Sequence, residues 1–210
     1  MPAPPAKLLI TADDYGLRPS YDEGILEAAV AGALDAVSVM VLRDPDPAPL
    51  LEIEVEVGLH LEARGLDAQL ERFEELFGRP PTHVDGHHHC HAQGGRPTLA
   101  VARLGRRLGI RVRSVSPRHR RLLRCLGVAT PDRLIGRLTE SEAALPPEIE
   151  ALLAGETPSP GTTEWMVHPG RSDPGAASEY DAGREEDLRL LLELASDPRV
   201  RRLRELGRWP

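Results

Sequence analysis

Lysine is almost missing from this 210-residue sequence, where Lys7 is the only one, and cysteine is scarce, with Cys90 and Cys125 alone. Two thiols cannot build a disulfide framework for a chain of this length, and no CxxC pair suggests a zinc knuckle or a redox site. A reducing, cytoplasmic location is therefore expected. No apolar stretch approaches the roughly 18 residues of a membrane span, and the apolar run at residues 7–10 is too brief for a signal-peptide core. Positive charge is not in excess either. Lys and Arg number 26 against 33 Asp and Glu, a formal charge of -7, which is the wrong sign for general nucleic-acid binding. The pair Gly94 and Gly95 lacks the GxxxxGK[ST] pattern of a phosphate loop.

The remaining composition is that of a globular protein, with 40% hydrophobic and 28% charged residues, and the length predicts one domain over residues 1–210. Strand-like apolar runs occur at residues 7–12, 36–42, 55–61, 82–85, 110–115 and 164–167. Helical spacing lies between them. Residues 19–34 carry Leu26, Val30, Ala33 and Leu34 on one face. Leu66, Leu70, Phe73 and Phe77 run to a stop at Gly78, and Pro97 opens a helix with Val101, Leu104 and Leu108 that ends at Gly109. Further helices are expected at residues 147–153 and, in two pieces, near the C-terminus. Alternating β and α elements predict an α/β fold whose strands are parallel, in a sheet either open or closed into a barrel. Ligands in such folds sit beyond the C-terminal ends of the strands.

The polar residues gather at those ends. Asp13 and Asp14 follow the first strand, His60 lies near the end of the third, Asp85 and a run of histidines follow the fourth, and His168 ends the last. Five of the eight histidines fall between His83 and His91. If that stretch stays extended, His83, Asp85, His87, His89 and His91 share one face, opposite His88 and Cys90. Singly, each has an ordinary structural explanation: a turn or cap for Asp-Asp, a core histidine for His60. Together they point to a divalent ion with an open position, because imidazole is the commonest protein metal ligand and a carboxylate completes such a set. Cys90 reads as a buried thiol and Cys125, beside Leu122, Leu123 and Leu126, as packing. Tyr15, Trp165 and Tyr180 flank the candidate residues. Trp165 reads as core, whereas the rings of Tyr15 and Tyr180 are open to stacking on a sugar. The arginine-rich stretch from Arg111 to Arg124 reads as a solvated face.

The segments LLITADDYGL, VGLHL, FGRPPTHVDGHHHCH and EWMVHPG resemble, in order and character, the motifs of the YdjC-like carbohydrate deacetylases, which include chitooligosaccharide deacetylases. Tyr180, Asp181, Arg184 and Glu185, followed by leucines, also resemble that family's C-terminal region. The resemblance implies a distorted (β/α) barrel and a hydrolase that removes the N-acetyl group from an amino sugar or short oligosaccharide. It implies one divalent ion, magnesium by family habit, held by Asp14, His60 and His87, with Asp13 as base and His168 as acid. Asp85 and His89 become candidates to orient the ligand imidazoles, and Tyr15 and Arg184 to support the site or touch substrate. The sequence departs from the family at Tyr15, where phenylalanine is usual, and at EARGL after GLHL. Two imidazoles are atypical for magnesium, so ligand chemistry alone favours zinc or another transition ion. The expected partner is a small carbohydrate, with neither nucleic acid nor membrane, and a homodimer is left open. Two other readings compete: a metal-dependent phosphoesterase or other hydrolase on the same scaffold, using Arg118 to Arg124 on phosphate, and a metal- or carbohydrate-binding module without turnover.

Overall fold

The computed structural model describes residues 6–136, 145–156, 161–176 and 181–205. Seven strands form one sheet: β1 (Ala6–Tyr15), β2 (Ala36–Val39), β3 (Glu56–Leu61), β4 (His83–Gly86), β5 (Arg111–Val112), β6 (Arg133–Ile135) and β7 (Gly161–Val167). The order is β5-β4-β3-β2-β1-β7-β6 with every pairing parallel. Parallel neighbours require crossover connections, and these are the helices: α1 (Pro19–Val30), α2 (Ala48–Glu52), α3 (Leu66–Phe77), α4 (Gly95–Leu108), α5 (Pro117–Cys125) and α6 (Pro147–Ala154). Two more, α7 (Asp181–Leu194) and α8 (Pro198–Glu205), follow β7. None of the described helices is long and apolar enough to cross a membrane.

The sheet curls into a half-barrel, the distorted-barrel architecture that the resemblance implied. The chain between α5 and β6 links edge strand β5 to β7 at the other side of the sheet: the Val112 amide donates to the Ala129 carbonyl, and the Asp132 amide donates to the Thr162 carbonyl on β7. Side chains alternate along each strand. Leu8, Ile10, Ala12, Val37, Val39, Val57, Leu59, Val84, Val112, Trp165 and Val167 join the apolar core beneath the helices. Their neighbours Asp13, Ser38, His60, Asp85, Arg113 and Glu164 are equally buried but face one another inside the curl. A polar interior of this kind stands only because its charges are paired.

The structure corrects several expectations. Among the described residues the strands number seven, not six; β6 is three residues long and escaped the periodicity reading, and the fifth strand shrinks to Arg111–Val112. Helix α1 ends at Val30 and buries Tyr21, Gly24, Ile25, Ala28 and Ala29, while Val30 is 73% exposed. The helix turns its small residues inward because the chain after β7 presses against it: a Cβ on Gly24 would lie 2.5 Å from the Gly170 Cα. Helices α3 and α4 end at Gly78 and Gly109 as expected. Cys125 is exposed rather than packed, and Cys90 is half-buried, its thiol donating to the Leu61 carbonyl. Tyr180 lies outside the described residues.

Candidate metal centre and active site

Beyond the ends of β1, β3 and β4, three side chains converge. One ligand atom from each of Asp14, His60 and His87 falls within 4.8 Å of the others. Asp14 Oδ1 lies 3.3 Å from His60 Nε2 and 2.9 Å from His87 Nδ1. Asp14 takes a left-handed backbone conformation, φ +72°, which is uncommon outside glycine and turns its carboxylate away from that of Asp13. Burial alone would raise the Asp14 carboxyl, but hydrogen bonds from His60 and His87 outweigh it and hold the group well below its ordinary range. One carboxylate oxygen and two imidazole nitrogens suit a divalent ion with further positions left open.

The orientation of His60 is set from behind. Its Nδ1–H donates to Asp85 Oδ1 at 2.7 Å, leaving Nε2 as the nitrogen directed at Asp14. Burial would lower this imidazole, but the charges of Asp13 and Asp85 raise it well above its usual value. Asp85 is itself held: Ser38 Oγ–H donates to Oδ2 at 2.7 Å, and His83 Nε2 lies 2.9 Å from the same hydroxyl. Because that hydroxyl spends its proton on Asp85, His83 is the donor and stays neutral. Burial, helped by the Arg111 charge, pushes His83 well below its ordinary value. The His83 ring fits only because residue 58 is glycine, where a Cβ would lie 2.2 Å from the ring.

Asp13 points into the barrel and is gripped by Arg113. Nη1 meets Oδ2 at 2.6 Å and Nη2 meets Oδ1 at 2.8 Å, a bidentate pair. The same guanidinium reaches Asp85 Oδ2 through Nη2 and Glu164 Oε1 through Nε, both at 2.8 Å. Asp13, His60 and Asp85 also form a possible ligand triad by distance, but Arg113 already neutralises two of its members and His60 spends Nδ1 there. The first cluster is therefore the metal candidate. Sequence reading missed Arg113 because it treated residues 111–124 as a solvated face. That holds for Arg118, Arg121 and Arg124, which are exposed, but Arg111 and Arg113 are buried. The signal was available, since the two alternate with Val112 and so share the inward side.

The histidine run does not stay extended. The strand stops at Gly86, and His87–Ala92 winds into a 3-10 turn in which His88 and His89 have φ of +48° and +55°. His87 consequently reaches Asp14, while His88 is exposed, its ring against that of His87. His89 was expected to orient a ligand imidazole. Instead its ring meets His91 edge-on at 6.3 Å, and among the described residues it has no hydrogen bond to His60 or His87. Tyr15 is also corrected: it is 2% exposed, with its hydroxyl on the Asp46 carbonyl, so its ring belongs to the core and offers no face to a sugar.

His168 follows the end of β7, half-buried and close enough to Asp14 to act on it electrostatically. Its loop is fixed amide by amide. The N–H of His168 donates to Asp187, that of Gly170 to the Arg184 carbonyl, that of Arg171 to the Ser20 carbonyl, that of Ser172 to Glu185 and that of Asp173 to Asp181. Helix α7 supplies four of those five acceptors. Through Arg184 it also reaches Asp14, Nη2 to Oδ2 at 2.6 Å. One helix thus anchors both the metal candidate and the His168 loop.

The sequence profile of the family described as YdjC-like protein matches residues 7–65 and 62–203. A carbohydrate deacetylase of Mus musculus is 30% identical over 190 residues, covering 68% of this chain and 61% of the mouse protein. A chitooligosaccharide deacetylase of Enterobacter sp. (strain 638) is 30% identical over 125 residues, 40% of this chain and 50% of that one. The matches thus span between half and two thirds of these relatives' lengths. Among solved structures, a candidate cellobiose-phosphate cleavage protein from Enterococcus faecalis V583 superposes with a TM-score of 0.74 at 22% identity, over 95% of this chain and 94% of the other. That likeness establishes the shared fold.

Proposed function

This chain belongs to the YdjC-like family, and from that premise we propose that it is a metal-dependent carbohydrate deacetylase, hydrolysing the N-acetyl group of an amino sugar or short oligosaccharide to the free amine and acetate. The observation that carries the reading is the separate placement of two adjacent carboxylates. Asp14 sits with His60 and His87, Asp13 is gripped by Arg113, and His168 follows β7 close enough to Asp14 to act on it electrostatically. Relatives named carbohydrate deacetylase and chitooligosaccharide deacetylase support the substrate class.

Asp14, His60 and His87 fit a divalent ion by their donor types and by their convergence. Such an ion supplies Lewis acidity to a carbonyl oxygen and acidifies water. Two imidazoles with one carboxylate favour zinc or another transition ion over magnesium. The chain's own groups do the rest. Asp13 accepts the proton of the attacking water on a lone pair that Arg113 leaves open, since a carboxylate offers about four acceptor sites and the guanidinium fork engages two. The water oxygen bonds to the acetyl carbon. As the C–N bond breaks, His168 passes a proton to the departing nitrogen. Arg113 keeps Asp13 in one orientation, and Asp85 keeps His60 in another. A positioned acid or base contributes roughly 10² to 10⁴ in rate only if its geometry is held.

The test is acetate release from a panel of N-acetylated amino sugars and their oligomers, each with zinc, cobalt, manganese and magnesium supplied, alongside elemental analysis of the purified protein. Acetate release lost in both Asp14→Asn and His168→Ala is the expected result. No acetate from any pairing of sugar and metal overturns the proposal.

A further inference from the structure

Two buried arginines touch the two aspartates, and they are satisfied very differently. Arg113 spreads its charge over Asp13, Asp85 and Glu164. Arg184 is 5% exposed, lies with its guanidinium 3.7 Å from the centre of the Tyr21 ring, and has Asp14 as its one carboxylate partner among the described residues. Its Nε and Nη1 are buried with no hydrogen-bond partner among the described residues. A buried guanidinium in direct contact with one carboxylate acts most strongly on that anion, and its charge also reaches Asp181 and Asp187. That anion is split between two uses: Oδ2 faces Arg184, and Oδ1 faces His60 and His87.

We propose that Arg184 is a positioning residue that sets the cation affinity of the centre. It engages Oδ2 of Asp14 and withdraws part of the carboxylate's negative charge from any ion bound on the other oxygen. The donor set alone would hold a divalent ion more tightly than the protein does. This inference rests on the reading of Asp14, His60 and His87 as the metal centre and deepens it, giving α7 control of ion binding as well as of the His168 loop.

The experiment is titration of chelator-stripped protein with manganese(II) alone, free ion being read by electron paramagnetic resonance, for the parent, Arg184→Gln, Arg184→Met and Arg184→Lys. Removing the charge in the first two variants should tighten binding by about tenfold or more, which is what Coulomb's law gives for a unit charge about 5 Å from a divalent ion even in a water-like dielectric. Arg184→Lys keeps the charge and should stay within about threefold of the parent. Equal or weaker binding by a folded Arg184→Gln variant overturns the proposal. Failure of both neutral variants to fold overturns it as well, because Arg184 would then serve stability. A parent that binds no manganese removes the premise and the inference together. The readout needs no turnover, so the expected pattern in a protein that releases no acetate would sink the deacetylase reading and leave this inference standing.

Discussion

Neighbouring residues on the same strand do opposite work in this protein. Ala12, Leu59, Val84, Val112 and Trp165 face outward into an apolar core, while Asp13, His60, Asp85, Arg113 and Glu164 face inward and hold one another by charge. The outer face needs only volume and apolar character, and contributes to stability in proportion to area. The inner face needs particular atoms at particular distances, since a buried charge left without its partner costs several kcal/mol. The two faces should therefore fail in different ways when substituted.

The largest effect is expected on turnover. Asp13→Asn should cost roughly 10² to 10⁴ in acetate release while manganese or zinc stays bound, because the base is lost and the ligand set is not. His168→Ala should cost a similar factor, with little change in melting temperature, since the ring is half-buried and its loop is held through backbone amides rather than the imidazole. Full activity in Asp13→Asn would show that the inner face holds structure alone there. Next comes Arg113→Met, which strands Asp13, Asp85 and Glu164 inside the barrel. Breaking a buried pair from one side costs about 3–5 kcal/mol, so chemical denaturation should find this variant barely folded. A stability like the parent's would mean that the three acids take up protons and need no cation.

The outer face supplies the control. Leu59 is fully buried beside His60, and Leu59→Ala should cost about 2–5 kcal/mol of stability. Its kcat/KM, measured on the folded fraction, should stay near that of the parent. A large loss of turnover without unfolding would show that the faces are coupled through the strand, and the comparison would have to be redrawn.

The same contrast explains which parts could be read from sequence. The strands β1 to β4 announce themselves by apolar runs ending in Asp13, His60 or Asp85, and α3 and α4 by leucine spacing with a glycine stop, because burial against an apolar core imposes the period. Where contact was polar or close, that guide failed. Arg113 looked like surface because arginine is seldom buried without a partner, and its partners lie on three distant strands. Helix α1 hid its inner face in Gly24, Ala28 and Ala29, of which Gly24 leaves room for the backbone at Gly170. The turn at His88 and His89 depends on backbone angles that no side-chain alternation reveals. The candidates Asp13, Asp14, His60 and His168 nonetheless stood out at strand ends, where ligand sites of parallel α/β folds lie.

The smallest effect, taken over the first pH unit below the imidazole's ordinary range, separates a buried histidine from the charged interior beside it. His91 is 1% exposed, its Nε2 donating to the Arg113 carbonyl, and burial pushes its imidazole down to about 3. In the unfolded chain it takes a proton near pH 6.5, in the folded protein only near pH 3. Between those limits the unfolded state binds the extra proton. The contribution of neutral His91 is therefore complete above pH 6.5 and is lost as the pH falls toward 3, at up to about 1.4 kcal/mol per pH unit. His91→Gln cannot take that proton, so its stability should fall less steeply with acid than the parent's when urea midpoints are compared at pH values on either side of the imidazole's ordinary range. Parallel curves would mean that His91 titrates in the folded state as it does in the unfolded one, and that the packing around it admits charge as the Arg113 cluster does.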